Sequence, residues 1–336
     1  EEWSLQAECG LRLKPPAQKS EAWSRLAESG LRLKPPVHED EEWSLQAEVG
    51  GRSGQGRMSI QADSVILDGK YRILRLIAEG GMARVWLAEE TKFSSRPVAL
   101  KEPCGNPALG LSDEIQERYR REVQVCAALV QAHVPYVVPA ITAEPYQGNL
   151  LLVMVYMAGG DLAALLKQHP RGLPLEQCVA ITSDLLRALE GVHAHELEIV
   201  HRDIKPSNVL FDKSPQEGAG AHAFLSDFGL AQLPGMSRRS QFLSNRHPGT
   251  IMYMAPEQEI GTRLLTPAAD LFATGCVLFE MVTGQRYKRY EPGTRASSLR
   301  PDVPEWLDGV MVRALEEAPW DRYQDAVAML AALEAR

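Results

Sequence analysis

Between Tyr71 and Ile77 apolar and polar residues alternate (Tyr71-Arg72-Ile73-Leu74-Arg75-Leu76-Ile77), the period-two pattern of a half-buried strand. Glu79-Gly80-Gly81 is a turn signal. Arg84–Ala88 and Pro97–Lys101 then read as two further strands. The period changes at Ser112-Asp113-Glu114, which opens a helix over Ser112–Val130 with Ile115, Tyr119, Val123 and Cys126 on one face. Leu150–Tyr156 is a continuous apolar run and predicts a buried strand. After Gly159-Gly160 the chain turns mostly helical. Leu175–His195 repeats apolar residues at helical spacing (Val179, Leu185, Leu189, Val192), and Pro267–Thr283, Val303–Leu315 and Gln324–Ala335 predict three more helices. Strands first and helices second imply an α+β chain with a small sheet-rich lobe and a larger helical lobe.

The first 57 residues follow a different rule. EEWSLQAECGLRLKPPAQKS and EAWSRLAESGLRLKPPVHED repeat with a twenty-residue period, and a partial third copy follows; Trp3, Trp23 and Trp43 mark the register. Each full copy holds one Trp, a few Leu and a Pro-Pro pair, too little apolar surface for a core. The expectation is a repetitive, disordered extension over 1–57, a linker over 58–70 and one domain over 71–334. Two alternatives remain for the extension: a docking or autoinhibitory arm anchored by its tryptophans, or a stretch translated upstream of a true start at Met58.

Composition narrows the function classes. A net charge of −8 argues against a nucleic-acid footprint, which needs a basic face. The five cysteines are far apart with no CxxC pair, which disfavours zinc and structural disulfides and favours a reducing compartment. The longest apolar run, near Leu150–Ala158, is far short of the roughly 18 residues of a membrane span. The chain does not begin with a basic segment followed by an apolar one, so no signal peptide is read and a cytoplasmic protein is expected. A membrane anchor past Arg336 in a longer chain stays open.

Three segments carry chemistry. In His201-Arg202-Asp203-Ile204-Lys205-Pro206-Ser207-Asn208, Asp203 is a proton acceptor and Asn208 offers a carbonyl oxygen to a hard cation. Asp227-Phe228-Gly229 follows an apolar pair, and its glycine permits a sharp reversal. Lys101 ends the strand Val98-Ala99-Leu100-Lys101. In this order the three resemble the eukaryotic-like Ser/Thr protein kinases, a family also found in bacteria. The resemblance runs from Tyr71 to Leu333 and implies the two-lobed protein kinase fold, with a small β-rich N-lobe and a larger helical C-lobe.

It also implies an ATP site with Mg2+, for which Mn2+ can substitute. Ile77, Ala78, Gly80, Gly81, Ala83 and Val85 resemble the glycine-rich loop over the phosphates, with alanine at two of the usual glycines. No P-loop pattern occurs. Lys101 would meet the phosphates and pair with Glu122, or with Glu117 as the alternative. Ala99 and the run Met154, Val155, Met157 would enclose the adenine, with Met154 as gatekeeper and backbone groups of Val155 and Met157 as its partners. Asp161 either reaches the ribose or caps a helix. Asp203 would orient the substrate hydroxyl or take its proton, Lys205 would steady the transferred group, and Asn208 and Asp227 would hold the metal. Lys205-Pro206 and Gly249-Thr250 resemble the Ser/Thr-specific group, whose partners are proteins presenting Ser or Thr, this chain itself included.

Structural roles are implied as well. Glu257 would pair with Arg322, Asp270 would anchor the catalytic loop, and His201 would pack on Phe228. His193, His195, His222 and His247 are read as ordinary surface or loop residues. Lys213–His222 is read as a flexible surface loop, and Gln285–Arg300 as short and polar where a docking helix usually lies. Two rival functions stand beside the active kinase: a pseudokinase scaffold, supported only by the replaced glycines, and a small-molecule kinase of similar fold, disfavoured by Gly249-Thr250, Ala255-Pro256-Glu257 and Arg322. The basic, serine-bearing stretch Ser237–Ser244 predicts autophosphorylation at Ser240 or Ser244, with Ser237 third, and pairing of the phosphate with Arg202.

Overall fold

The computed structural model describes residues 60–80, 83–92, 95–104, 113–147, 149–216, 220–231, 250–260 and 265–335. The repeats of 1–57, Gly81, His247, Gly249 and the serines 237, 240 and 244 lie outside the described residues.

The N-terminal lobe is one antiparallel sheet. Its strands are β1 (Val65–Ile66), β2 (Tyr71–Glu79), β3 (Ala83–Glu90), β4 (Arg96–Pro103), β5 (Ala140–Tyr146) and β6 (Asn149–Val155), in the spatial order β1-β2-β3-β4-β6-β5. The pleat sends alternate side chains to opposite faces. Tyr71, Ile73, Trp86, Ala88, Val98, Leu100, Leu151 and Val153 fill a core on one face. The other face therefore receives the residues between them. The register lines up Ala78, Val85, Lys101 and Leu152 across four strands, and Leu87, Ala99 and Met154 across three. Helix α1 (Asp113–Gln131) follows β4 and sends Val125, Cys126 and Leu129 into the main core.

The expected linker over 58–70 is corrected in its described part. Ile60 and Ile66 are buried in the N-lobe core, and β1 pairs with β2 through Val65↔Arg72 and Ile66↔Tyr71. Sequence pattern missed this because a two-residue strand has no period. It missed β5 because Pro145 and a largely half-buried run disguise an edge strand, where proline is tolerated.

The C-terminal lobe holds α2 (Leu162–Gln168), α3 (Leu175–His193), α4 (Pro256–Glu259), α5 (Pro267–Thr283), α6 (Glu305–Ala314) and α7 (Ala326–Glu334). Two three-residue strands, β7 (Val209–Phe211) and β8 (Ala223–Leu225), form a hairpin beside α3. Helix α5 is buried almost all round, with Pro267 in its first turn and Gly284 ending it at φ 71°. A Cβ on Gly284 would lie 2.3 Å from the Pro170 carbonyl oxygen, so close approach and left-handed backbone both demand glycine there. Gln285–Arg300 contains only two short 3-10 turns, at Tyr287–Arg289 and Ala296–Ser298.

Behind α5 Arg322 and Glu257 form a buried bidentate pair at 2.7 and 2.8 Å. Arg322 also donates to the carbonyls of Glu316, Glu317 and Ala268, so its guanidinium is well satisfied. Removing it would leave the Glu257 carboxylate buried without its charge partner. We expect Arg322→Leu to lower unfolding free energy by about 3–5 kcal/mol in urea titration, with only the part due to the unpaired carboxylate restored by Glu257→Gln in the same chain.

Candidate active site

Lys101 stands where β4 meets α1. Its ammonium is buried between the Glu122 carboxylate, with which it forms an ion pair, and Asp227 Oδ1 at 3.1 Å. Glu122, not Glu117, is the helix partner; Glu117 pairs with Arg121 one turn on. Gly229 lies close by: a Cβ there would sit 3.3 Å from Asp227 Oδ1 and 3.5 Å from Glu122, a tight fit that a small shift of the Asp227 side chain would accommodate.

The segment from His201 to Asn208 lies beneath. Lys205 Nζ donates to Asp203 Oδ2 at 2.7 Å, and Asn208 Nδ2 donates to the Asp203 carbonyl and to Oδ2 at 2.8 and 3.1 Å. Asp203 Oδ1 is buried with no hydrogen-bond partner among the described residues. An acceptor left in that state is costly unless something outside the fold completes it. His201 accepts from the Asp203 N–H through Nδ1 at 3.2 Å and faces the Ser226 carbonyl through Nε2 at 3.1 Å, which assigns the neutral tautomer with the proton on Nε2. Its ring packs edge-on against Phe228 at 4.7 Å.

Asp270 on α5 fixes this loop by its backbone. Its carboxylate accepts from the N–H groups of His201 and Arg202, each at 2.8 Å. Arg202 and Asp227 both adopt left-handed backbone, at φ 70° and 66°. Such conformations cost roughly 1–3 kcal/mol each, so the surrounding contacts must hold them. His193 contributes to that hold and corrects its reading as a surface residue: its side chain is enclosed, and Nε2 lies 2.8 Å from Asp270 Oδ2. His222 is a part-exposed loop residue, as read, whose Nδ1 lies 3.2 Å from Asp184. Nothing in either residue's sequence neighbourhood signals the distant carboxylate.

On the sheet side, Met154 pairs with Ala99 across β4 and β6. Val155 N–H already donates to the Pro139 carbonyl at 3.0 Å, so a ligand at this edge can use only the Val155 carbonyl. Met157 is buried with Val138 and Phe224, and Leu210 packs against them; neither Phe224 nor Leu210 was singled out in the sequence. Asp161 caps α2, accepting from the Ala164 N–H at 2.7 Å. Gly80 N–H closes the β2–β3 turn on the Ala83 carbonyl at 2.9 Å, and Ile77, Ala78 and Gly80 are exposed around it.

Residues 71–305 match the model of the protein kinase domain. The chain belongs to the protein kinase family. A probable serine/threonine-protein kinase of Streptomyces coelicolor is 33% identical over 285 residues, covering 80% of this chain and 40% of that one. The serine/threonine-protein kinase PknD of Mycobacterium tuberculosis is 33% identical, covering 77% and 38%. The chain thus spans about 40% of the length of these curated relatives. The crystal structure of the Mycobacterium tuberculosis PknI kinase domain with a double substitution superposes with a TM-score of 0.61 at 25% identity, covering 82% of this chain and 98% of that one. The two-lobed kinase fold follows.

Kinases of this family generally use ATP and Mg2+. The donor set here fits a hard cation that shares its ligands with phosphates. Asn208 spends its amide nitrogen on Asp203 and so keeps its carbonyl oxygen free of that duty. The hydrogen bonds Asp227 makes to Lys101 and Gly229 both use Oδ1, leaving them no claim on its second oxygen. Among the described residues no cluster of three or more His, Cys, Asp or Glu could hold a metal alone.

Electrostatics separates the carboxylates. The Lys101 charge outweighs burial and lowers the Asp227 pKa to about 2. Burial works against the Lys101 charge, but Asp227 and Glu122 together outweigh it and hold its pKa above the ordinary value. Burial raises Asp203, with Lys205 opposing. The stability that the Lys101–Asp227 contact adds is therefore present above an unfolded carboxylate's pKa of about 3.9 and is lost as pH falls toward about 2. Carboxyl-carbon NMR should show Asp227 titrating near pH 2. In Lys101→Met the same resonance should move up toward about 3.9 or beyond.

Proposed function

We propose that this chain is an ATP- and Mg2+-dependent Ser/Thr protein kinase, transferring the γ-phosphoryl group of ATP to Ser or Thr hydroxyls of proteins, itself included. The observation that carries the reading is the buried, partnerless Oδ1 of Asp203, held beside Lys205 and Asn208 and across from Lys101 and Asp227. A substrate hydroxyl completes that oxygen: it donates to Asp203, which orients the attacking oxygen and takes its proton as the bond to phosphorus forms. Lys205 lies close enough to Asp203 to neutralise charge on the transferred group. Lys101, kept charged and aimed by Glu122, meets the α- and β-phosphates. Asn208 and Asp227 would hold Mg2+, whose charge offsets that of the phosphates.

Ile77, Val85, Ala99, Met154 and Met157 line the adenine space, and the loop from Ala78 through Gly80 and Gly81 to Ala83 covers the phosphates. The Val155 carbonyl accepts from the adenine amino group, and the Met157 N–H donates to the ring. Asp161 meets the ribose with the carboxylate oxygen not used in capping α2. Ser/Thr specificity is supported by Lys205-Pro206 and by the relatives' names. A cytoplasmic location is supported by the four described cysteines, all free thiols, and among the described residues no helix is long and apolar enough to cross a membrane.

Purified protein incubated with ATP, Mg2+ and a generic protein substrate should transfer phosphate, while Asp203→Asn should not. Lys101→Met and Asp227→Asn should each reduce transfer at least about a hundredfold with the fold intact, equivalent to about 2.7–4 kcal/mol. Near-wild-type turnover in either folded variant would overturn the assignment. Autophosphorylation is expected at Ser240 or Ser244, so phosphopeptide mapping should find phosphate between Leu230 and Arg246, absent from Asp203→Asn. Full activity in a Ser237/Ser240/Ser244 triple alanine variant would remove the regulatory role.

A further inference from the structure

Tyr119 lies one turn before Glu122 on α1 and is buried. Its hydroxyl donates to the backbone carbonyl of Lys101 and accepts from the Leu152 N–H at 2.9 Å. Those two groups belong to the last register pair of β4 and β6, Lys101↔Leu152. Beyond it the strands part: Glu102 and Pro103 stay with β3, while Leu151 and Leu150 stay with β5. The fork would leave a buried carbonyl and a buried N–H unpaired, each costly to desolvate. One phenol oxygen serves both.

Packing alone does not ask for tyrosine here. A phenyl ring fills the same space, and a buried hydroxyl needs a partner. The partner it takes is the main chain of the very residue whose side chain Glu122 holds. Residues three apart share a helix face. So α1 grips Lys101 twice from one face, at the carbonyl through Tyr119 and at the ammonium through Glu122. One contact alone would let the helix pivot; two fix its depth and rotation against the sheet.

We propose that Tyr119 is a positioning residue for phosphoryl transfer: its hydroxyl latches α1 into the fork between β4 and β6 and thereby sets the Lys101–Glu122 contact. The proposal rests on the kinase reading of Lys101, and its test separates the two. Steady-state kinetics of wild type, Tyr119→Phe, Glu122→Gln and the double variant are compared, beside Mg·ATP affinity by calorimetry and thermal midpoints.

Tyr119→Phe should lower kcat/KM for ATP about tenfold, the effect of about 1.4 kcal/mol, with KM for the protein substrate unchanged. In the Glu122→Gln background the same change should have less than about a twofold further effect, because the latch acts through that contact. A merely structural tyrosine would give equal losses in both backgrounds, and that result overturns the proposal. So does wild-type kcat/KM in Tyr119→Phe. Wild type that neither binds Mg·ATP nor transfers phosphate would overturn the kinase reading instead. Should Tyr119→Phe fail to fold, amide exchange of the wild-type protein decides: the Leu152 N–H should be protected as well as that of Val153. Exchange at Leu152 faster by about a hundredfold or more would show that the hydroxyl does not hold it.

Discussion

One buried ammonium organises the molecule. Lys101 comes from the sheet, Glu122 from the helix that follows it, and Asp227 from the far lobe. A lone buried cation would be expelled or neutralised, since desolvating a charge is costly. Here it stays charged only because two carboxylates reach it, and each is delivered by a different element. The arrangement therefore reports on assembly: the ion triad exists only when sheet, helix and lower lobe are all in register. It is also frustrated in a useful way. Two carboxylates crowd one ammonium, so the site has acidic charge to spare.

The lower lobe solves a different problem, holding a polar and largely buried loop rigid. Its solution is a helix that carries carboxylates into the core. Asp270 on α5 is fully enclosed, and its ionisation, opposed by burial, is sustained by the His193 ring and by backbone N–H groups, which hold its pKa below the ordinary value. Glu257 is held in the same manner by Arg322. Both devices place a charge where it can direct backbone or a neighbouring segment and then neutralise it locally.

Much of this was legible in the residues. Strands at Tyr71–Ile77 and Pro97–Lys101 and the helix at Pro267–Thr283 emerge from period and capping alone, because each is long enough to show its period and is bounded by turn residues. Elements of two or three residues, such as β1 and β7, carry no period and exist only through tertiary pairing. In the site, Lys101, Asp203, Asn208 and Asp227, which the structure joins in pairs, sit in compact local motifs that stand out by number. Those that act across distance do not: His193 lies 77 positions from Asp270, and Tyr119 33 positions from Leu152. A histidine or tyrosine on a helix face looks the same whether its polar atom meets water or a remote backbone group. The edge strand β5 shows the converse limit, where a proline tolerated by the fold argues against the strand it occupies.

The grip of Asp270 on the N–H groups of His201 and Arg202 has an evolutionary corollary. Main-chain groups are common to nearly every amino acid, so this part of the loop's anchorage does not depend on which side chains stand at those two positions. Drift at 201 or 202 leaves that anchorage in place, although at 201 it forfeits the imidazole's bonds to the Asp203 N–H and the Ser226 carbonyl. Drift at 270, inside a helix and remote from any substrate, does not. A position that substitution would disturb thus lies in the interior of α5, far along the chain from the loop it fixes.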